Sequence, residues 1–155
     1  MSKIAALVGT VALLMALTAV PAQAAQTATR QAVQQQINAA LTATPGGEQT
    51  SANTVEWNDG DIILTVASNL STQAVGSCAT GYVCAYSSTN LLGTKLSFGS
   101  CATYSTSTIT VRSVANARSS GTVRGKSNAG TTLVTVTAGN HDNSTPTGIT
   151  QVTCS

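Results

Sequence analysis

The hydrophobic positions of the chain fall into three successive patterns. An almost wholly apolar run of 17 residues, Ile4 to Val20, comes first. A helical pattern follows from Thr29 to Leu41, where apolar side chains recur at intervals of one helical turn. Beyond Pro45 the apolar runs are short and are separated by glycine, asparagine and serine, which is typical of β-strands joined by tight turns. The pattern predicts an apolar leader, one helix and an otherwise all-β chain.

The apolar leader has the features of a secretory signal peptide. Lys3 supplies a positive start, and Ala22, Gln23 and Ala24 form an A-x-A cleavage site. A membrane anchor is the alternative, but the apolar run is at the short limit for crossing a bilayer. We therefore expect residues 1–24 to be removed, so that a secreted protein without membrane contact begins at Ala25.

Residues 25–66 predict a small module that contains no cysteine. Its helix places four apolar residues on one face and stops at a Pro-Gly-Gly sequence: Val33, Ile37, Ala40 and Leu41, then Pro45, Gly46 and Gly47. A hairpin follows, with strands Thr54 to Trp57 and Asp61 to Val66 around the turn Asn58, Asp59 and Gly60. Such a module is marginal alone. We expect it either to dock on the rest of the chain or to behave as a loosely ordered arm, with residues 67–76 as a polar linker.

Residues 77–155 contain a weak internal repeat with an offset of about 40 residues. The first cycle comprises Val83 to Tyr86, Gly93, Lys95 to Phe98, and then Ile109 with Val111. The second comprises Val123 to Lys126, Gly130, Thr132 to Val136, and then Ile149 with Val152. Each cycle gives a strand, a tight hairpin, a strand, a longer loop and a strand, which predicts a Greek key. Chance repetition in a serine- and threonine-rich chain is the alternative, but two facing motifs would form a β-sandwich.

Composition and charge narrow the class of protein. The 26 threonines and 17 serines favour β-structure and loops over helix. Without the leader the chain has six basic and five acidic residues, a net charge of +1: Arg30, Lys95, Arg112, Arg118, Arg124, Lys126, Glu48, Glu56, Asp59, Asp61 and Asp142. This balance argues against nucleic-acid binding, which needs clustered cations. We expect a monomer.

Four cysteines provide the covalent support that a small core usually needs. They are Cys78, Cys84, Cys101 and Cys154, and in an exported protein all four can oxidise. Four cysteines allow three connectivities, and the spacing alone does not choose among them.

The run CATGYVCAYSSTNLLGTKL, from Cys78 to Leu96, resembles the start of the streptomycete metalloproteinase inhibitor family. These are small secreted bacterial proteins with a single βγ-crystallin-like domain. The residues that carry the resemblance are Cys78, Cys84, Tyr86, Ser87, Gly93, Arg112, Ser113, Ala115 and Asn116. The resemblance implies a two-Greek-key sandwich, a Cys78–Cys84 bridge that leaves Cys101 with Cys154, and inhibition of an extracellular (metallo)peptidase. Residues 29–66 are similar to the extension that precedes the domain in many exported homologues.

Two departures from the family pattern affect the predicted function. In this family a second short cysteine loop stiffens the segment that enters the protease cleft, and the corresponding segment here has no cysteine: Arg124, Lys126, Ser127, Asn128, Ala129, Gly130 and Thr131. Leu91 also replaces the aromatic residue usual in crystallin-type hairpins. The alternative is therefore an extracellular or envelope-associated module that binds a glycan or another protein. A third hypothesis makes residues 25–66 a chaperone-like pro-arm.

Catalysis and metal binding find little support in the sequence. The single histidine, His141, stands beside Asp142, but no nucleophile elbow or zinc-ligand spacing accompanies it. Calcium is the one cofactor with a candidate site, because Asp142 and Asn143 precede a short hydroxyl-rich stretch, Ser144, Thr145 and Thr147. Pro146 interrupts that stretch, and one carboxylate gives at best a weak calcium site. We expect a noncatalytic protein without a cofactor.

Overall fold

The computed structural model describes residues 21–68 and 78–155, and within them it has one helix and eleven strands. Most of the predicted leader and of the predicted linker lies outside these residues. The helix is α1 (Pro21–Ala43), and the strands are β1 (Glu48–Ser51), β2 (Thr54–Trp57), β3 (Ile62–Thr65), β4 (Val83–Tyr86), β5 (Lys95–Phe98), β6 (Thr103–Ser105), β7 (Ser113–Asn116), β8 (Thr122–Lys126), β9 (Thr132–Thr137), β10 (His141–Asp142) and β11 (Gln151–Cys154).

The strands form two antiparallel sheets. The first has seven strands in the order β1-β2-β3-β5-β4-β7-β10, and the second has four in the order β6-β11-β8-β9. The prediction of an essentially all-β chain with one helix is confirmed. The helix between Pro21 and Ala43 is also the only long one among the described residues, and it is not apolar enough to span a membrane.

Strands β4 to β7 and strands β8 to β11 repeat the same arrangement. In each set the first two strands pair as a hairpin, and the fourth strand lies beside the first. The third strand joins the other set's sheet, since β6 pairs with β11 and β10 pairs with β7. This exchange ties the two halves of the chain together.

The predicted hairpins are confirmed, but the strand predicted at Ile109 and Val111 is wrong. Val111 is almost fully buried, yet it lies in the connection between β6 and β7, where the Ile109 N–H donates to the Thr106 carbonyl in a turn. Ile149 likewise precedes β11 and is buried outside a strand. The apolar residues at these positions indicate burial and not a strand, because a residue in a connection between two packed sheets can also be buried.

A continuous core lies on the inner face of the seven-stranded sheet. Register pairs place five apolar residues in one row across it: Val55, Leu64, Leu96, Ala85 and Val114. The second sheet packs Val123, Val136 and Val152 into the same core. Helix α1 adds Val33 and Ile37, so the helix and the four-stranded sheet lie on the same face of the larger sheet.

The N-terminal module docks by extending the first sheet. Strand β3 pairs with β5 from Ile62 opposite Phe98 to Thr65 opposite Lys95. The predicted helical face is confirmed, since Ile37 is fully buried and its apolar neighbours on that face are buried or partly buried. The helix begins at Pro21, before its predicted start at Thr29, because residues 21–28 are rich in alanine and glutamine, which favour a helix without a buried face.

Both disulfides implied by the family resemblance are formed. Cys78 pairs with Cys84 and Cys101 pairs with Cys154, with Cα–Cα distances of 5.7 and 5.0 Å. The first bridge packs beside Tyr86 and Ala115, on the face of β4 opposite the main core. The second joins the connection between β5 and β6 to the last strand, so it links the two halves of the repeat. Paired cysteines are typical of proteins in an oxidising compartment.

The hairpin between β4 and β5 is held onto the sheet by Ser113. Its hydroxyl accepts a hydrogen bond from the Leu91 N–H (3.0 Å) and donates to the Ser88 carbonyl (2.7 Å). Leu91 itself packs against the cluster formed by Cys84, Tyr86 and Ala115. Gly93 has a φ of +81°, and a Cβ there would collide with the hydroxyl of Ser87 and that of the following serine. Glycine is therefore required in this turn.

Candidate functional site

The candidate contact segment is the tip of the β8–β9 hairpin. The chain reverses between Ser127 and Thr131, where the Ser127 N–H donates to the Thr131 carbonyl and the Gly130 N–H donates to the Ser127 carbonyl, both at 2.9 Å. Gly130 has a φ of +81°, as such a reversal requires. Asn128 and Ala129 are exposed at the tip. The sequence prediction therefore falls on an exposed turn whose backbone is fixed by its own hydrogen bonds.

The basic residues of the candidate segment lie along β8 and not at the tip. Arg124 and Lys126 alternate with Val123 and Gly125, which are buried, so both cations lie on the outer face of the second sheet. Arg124 Nη1 donates to the Ser155 hydroxyl at 2.9 Å. The cations thus sit beside the tip, on a face whose other side chains are threonine, serine and glutamine.

The outer face of the second sheet is a polar surface built in rows. Register pairs place Thr103, Thr153, Arg124 and Thr135 in one row across all four strands. A second row contains Ser105, Gln151 and Lys126. The strand residues of this face include no carboxylate and no aromatic side chain. Such a face offers hydroxyl and amide groups with two positive charges, which suits polar contacts and not acid–base chemistry.

Asp142 and Asn143, the calcium candidates, use their polar groups within the fold. Asp142 Oδ1 accepts the Ser144 N–H at 2.8 Å, and the Asn143 carbonyl accepts the Asn90 N–H at 2.8 Å. Thr145 is buried. Nowhere in residues 21–68 and 78–155 do three or more His, Cys, Asp or Glu side chains gather closely enough to hold a metal ion. The carboxylate therefore closes a local turn.

His141 and Asp142 adjoin on β10 only as chain neighbours. Their side chains point to opposite faces of the strand, because successive residues of a strand alternate. His141 is exposed and lies opposite Ala115 of β7. The structure brings no catalytic arrangement together around this pair.

Asp61 has a role that the sequence does not indicate. Its Oδ1 accepts the Ser100 N–H (2.6 Å) and its Oδ2 accepts the Tyr104 O–H (2.8 Å), while Gly99 N–H donates to its backbone carbonyl. Arg118 Nη1 donates to the Gly99 carbonyl at 2.6 Å and so reinforces the same connection. These contacts form a latch, defined here as Asp61, Ser100 and Tyr104, between the N-terminal module and the following domain.

The latch shifts the pKa values of both of its ionisable groups, Asp61 and Tyr104. Hydrogen bonds from Ser100 lower the pKa of Asp61; partial burial opposes them, and the bond from Tyr104 adds to them. Burial raises the pKa of Tyr104, and the neighbouring Asp61 raises it further. The ring of Tyr104 stacks on Phe98 with centroids 4.5 Å apart. The carboxylate form of Asp61 is therefore the form that the fold favours.

We expect Asp61→Asn to lower the thermal stability at neutral pH and to change its pH dependence. A depressed pKa contributes stability above the unfolded value near 3.8, and this contribution is lost as the pH falls through the folded pKa. The difference in Tm between the wild type and Asp61→Asn should therefore be largest near neutrality and should shrink toward pH 2. Asp59→Asn, in the adjacent exposed turn, is the matched control. An equal effect of both variants would contradict the latch.

A groove runs between helix α1 and the connection that follows β6. Its volume is about 220 Å³, and a neighbouring pocket of about 100 Å³ opens against Trp57. The groove is lined by Gln36, Ala39, Ala40, Ala43, Leu64, Val66, Thr94, Ser107 and Thr108. No charged side chain lines it. Sequence reasoning could not find this groove, because it exists only once the helix has docked.

Comparison with known proteins places the chain in no established family: no family model, no curated protein and no solved structure matches it.

Proposed function

We propose that this protein is a secreted, noncatalytic binding protein built on a βγ-crystallin-like sandwich of two Greek keys. The strand order supports the fold, because β7 lies beside β4 and β11 lies beside β8, as the fourth strand of a Greek key lies beside its first. The predicted signal peptide and the two disulfides support secretion.

The partner that we propose is an extracellular metallopeptidase, and the contact is the tip from Ser127 to Thr131. One observation carries the proposal: the tip is exposed, and two backbone hydrogen bonds fix its conformation. A preorganised segment loses less conformational entropy on binding. In this chain the two bonds take the place of the stiffening cysteine loop in the family that the sequence resembles.

The tip would not bind as a substrate does. A peptidase cleft takes an extended segment, whereas Ser127 to Gly130 reverse the chain within four residues. We therefore propose that the tip contacts the rim of the cleft, with Lys126 and Arg124 beside it. Inhibition of this kind blocks access of substrate, and the inhibitor is not cleaved.

Titration of a thermolysin-type peptidase with the purified mature protein tests this function. We expect inhibition that Ala129→Glu weakens at least about tenfold, equivalent to 1.4 kcal/mol. Ser120→Glu, at the exposed opposite end of β8, is the matched control and should inhibit like the wild type. Absence of inhibition by the wild type, or equal weakening by both variants, would reject the tip as the contact.

A second candidate function rests on the outer face of the second sheet. Its rows of threonine, serine and glutamine around Arg124 and Lys126 suit hydrogen bonding to an envelope glycan that carries negative charge. Sedimentation of the protein with insoluble cell-wall glycan tests this candidate. Arg124→Ala/Lys126→Ala should abolish cosedimentation, whereas Ala129→Glu should leave it unchanged.

A further inference from the structure

The two sheets end in four edge strands within the described part of the chain: β1 and β10 in the first sheet, β6 and β9 in the second. An unprotected edge strand pairs readily with another chain, so folded proteins usually shorten, charge or cover their edges. Strand β10 has two residues and β6 has three. Strand β1 carries Glu48 directly opposite Glu56 of β2, so a second copy there would meet like charges.

Strand β9 is neither short nor charged, and the bulge in its pairing with β8 affects only its start, since Val134 to Thr137 stay in regular register. It is the longest strand in the described residues, with six residues from Thr132 to Thr137. The sequence from Thr131 to Asn140 contains no charged residue and no proline. Thr132, Thr135 and Thr137 are exposed. Uncharged side chains of this size do not repel another strand that approaches the edge.

The backbone N–H and C=O of Thr135 in β9 point away from β8, out of the edge of the sheet. On β8, Thr122 exchanges both backbone hydrogen bonds with Ser155, so it faces β11. Because backbone groups alternate along a strand, Val123 and Gly125 face β9, where they oppose Val136 and Val134. Thr135 lies between these two valines. Its N–H and C=O therefore point outward from the sheet edge.

We propose that β9 is an interface between two copies of this chain, which pair antiparallel about a two-fold axis at Thr135. The outward N–H and C=O of each Thr135 then bond to those of its counterpart, and Val134 of one copy lies opposite Val136 of the other. A two-fold interface brings a surface onto itself, so it requires a surface that does not repel itself. The uncharged β9 meets that requirement, whereas β1 does not.

The pairing joins the two four-stranded sheets into one continuous eight-stranded sheet. Since the two β9 strands run in opposite directions, the tips from Ser127 to Thr131 lie at opposite ends of the dimer. Both tips stay accessible, and a dimer presents two of them. This inference replaces the expectation of a monomer and does not depend on the identity of the partner bound by the tip.

Sedimentation of the mature protein over a concentration series, with Thr135→Pro as the test variant, examines the interface. Proline removes the outward N–H and leaves the β8–β9 ladder intact, because edge strands accept proline where the N–H faces solvent. We expect a concentration-dependent dimer whose dissociation constant rises at least about tenfold in this variant. Thr103→Pro is the matched control, because the backbone N–H of Thr103 in the edge strand β6 also points outward. The neighbouring Ala102 faces β11, since its carbonyl accepts the Cys154 N–H, and backbone groups alternate along a strand. It should dimerise like the wild type.

A second pair of variants keeps the interface testable if proline disturbs folding. Thr135→Cys places two thiols at a hydrogen-bonded pair with Cα atoms about 5.5 Å apart, which is within disulfide reach. It should give a disulfide-linked dimer under mild oxidation, whereas Thr103→Cys should not. A wild type that is monomeric throughout, or equal crosslinking of both cysteine variants, would overturn the proposal.

Discussion

Loss of the Cys101–Cys154 disulfide is expected to lower the free energy of unfolding by about 4 kcal/mol, against about 2 kcal/mol for Cys78–Cys84. The difference follows from the chain that each bridge closes, because the paired cysteines are 53 and 6 residues apart in the sequence. A longer closed loop restricts the unfolded chain more strongly. The longer bridge also anchors β11, which pairs with both β6 and β8.

Urea unfolding of two double variants, Cys101→Ser/Cys154→Ser and Cys78→Ser/Cys84→Ser, measures this difference. Each double variant leaves the other bridge and no unpaired thiol, so each serves as the control for the other. A larger loss from the short bridge would contradict the loop argument. It would indicate that the packing of Cys84 beside Tyr86 matters more than chain restriction.

The strands that could be predicted from the sequence are those with local turn chemistry. Gly93 and Gly130 mark the tips of two hairpins, and Asn58 to Gly60 mark a third, since each turn needs positive φ angles. Strand β1 is polar and exposed, and no glycine marks its turn into β2. Strands β6 and β10 could not be predicted either, because they are short and held by a partner that is distant in sequence. Pairing of that kind leaves no periodic signal in the strand itself.

The same distinction applies to the candidate site. The tip from Ser127 to Thr131 follows from its neighbours along the chain, and the structure places it as an exposed turn. Asp61 looks like an ordinary turn residue, since its partners Ser100 and Tyr104 lie about 40 residues away. The orientation of Thr135 depends on the pairing between Thr122 and Ser155. Long-range hydrogen bonding therefore decides both features.

Charge is distributed unevenly between the two parts that the latch joins. Four of the five acids lie in residues 25–66, whereas all the basic residues after the leader except Arg30 lie beyond Cys78. Nevertheless, the contacts that join the two parts are mainly the β3–β5 ladder and apolar packing. Docking should therefore depend on burial more than on ionic strength.

Ile37→Ala is expected to destabilise the whole fold by about 3 kcal/mol, within the range of 2–5 kcal/mol for deletion of buried side chains. Ile37 is fully buried and belongs to the core that both sheets share. If residues 25–66 form one cooperative unit with the rest, this change in the helix lowers the stability of the distant β8–β9 hairpin as well. Gln35→Ala, on the exposed side of the same helix, is the matched control and should change stability little.

Two probes separate this outcome from independent unfolding of the N-terminal module. The single tryptophan, Trp57, reports on the module, where its Nε1–H donates to the Thr44 carbonyl at 2.8 Å. Second-derivative ultraviolet absorbance of the tyrosines reports on the rest of the chain, because Tyr82, Tyr86 and Tyr104 all lie in residues 78–155. Coincident transitions for both probes, shifted together by Ile37→Ala, are the expected result for one cooperative unit. If Ile37→Ala shifted only the Trp57 fluorescence transition, residues 25–66 would be a separately folding arm despite the shared sheet.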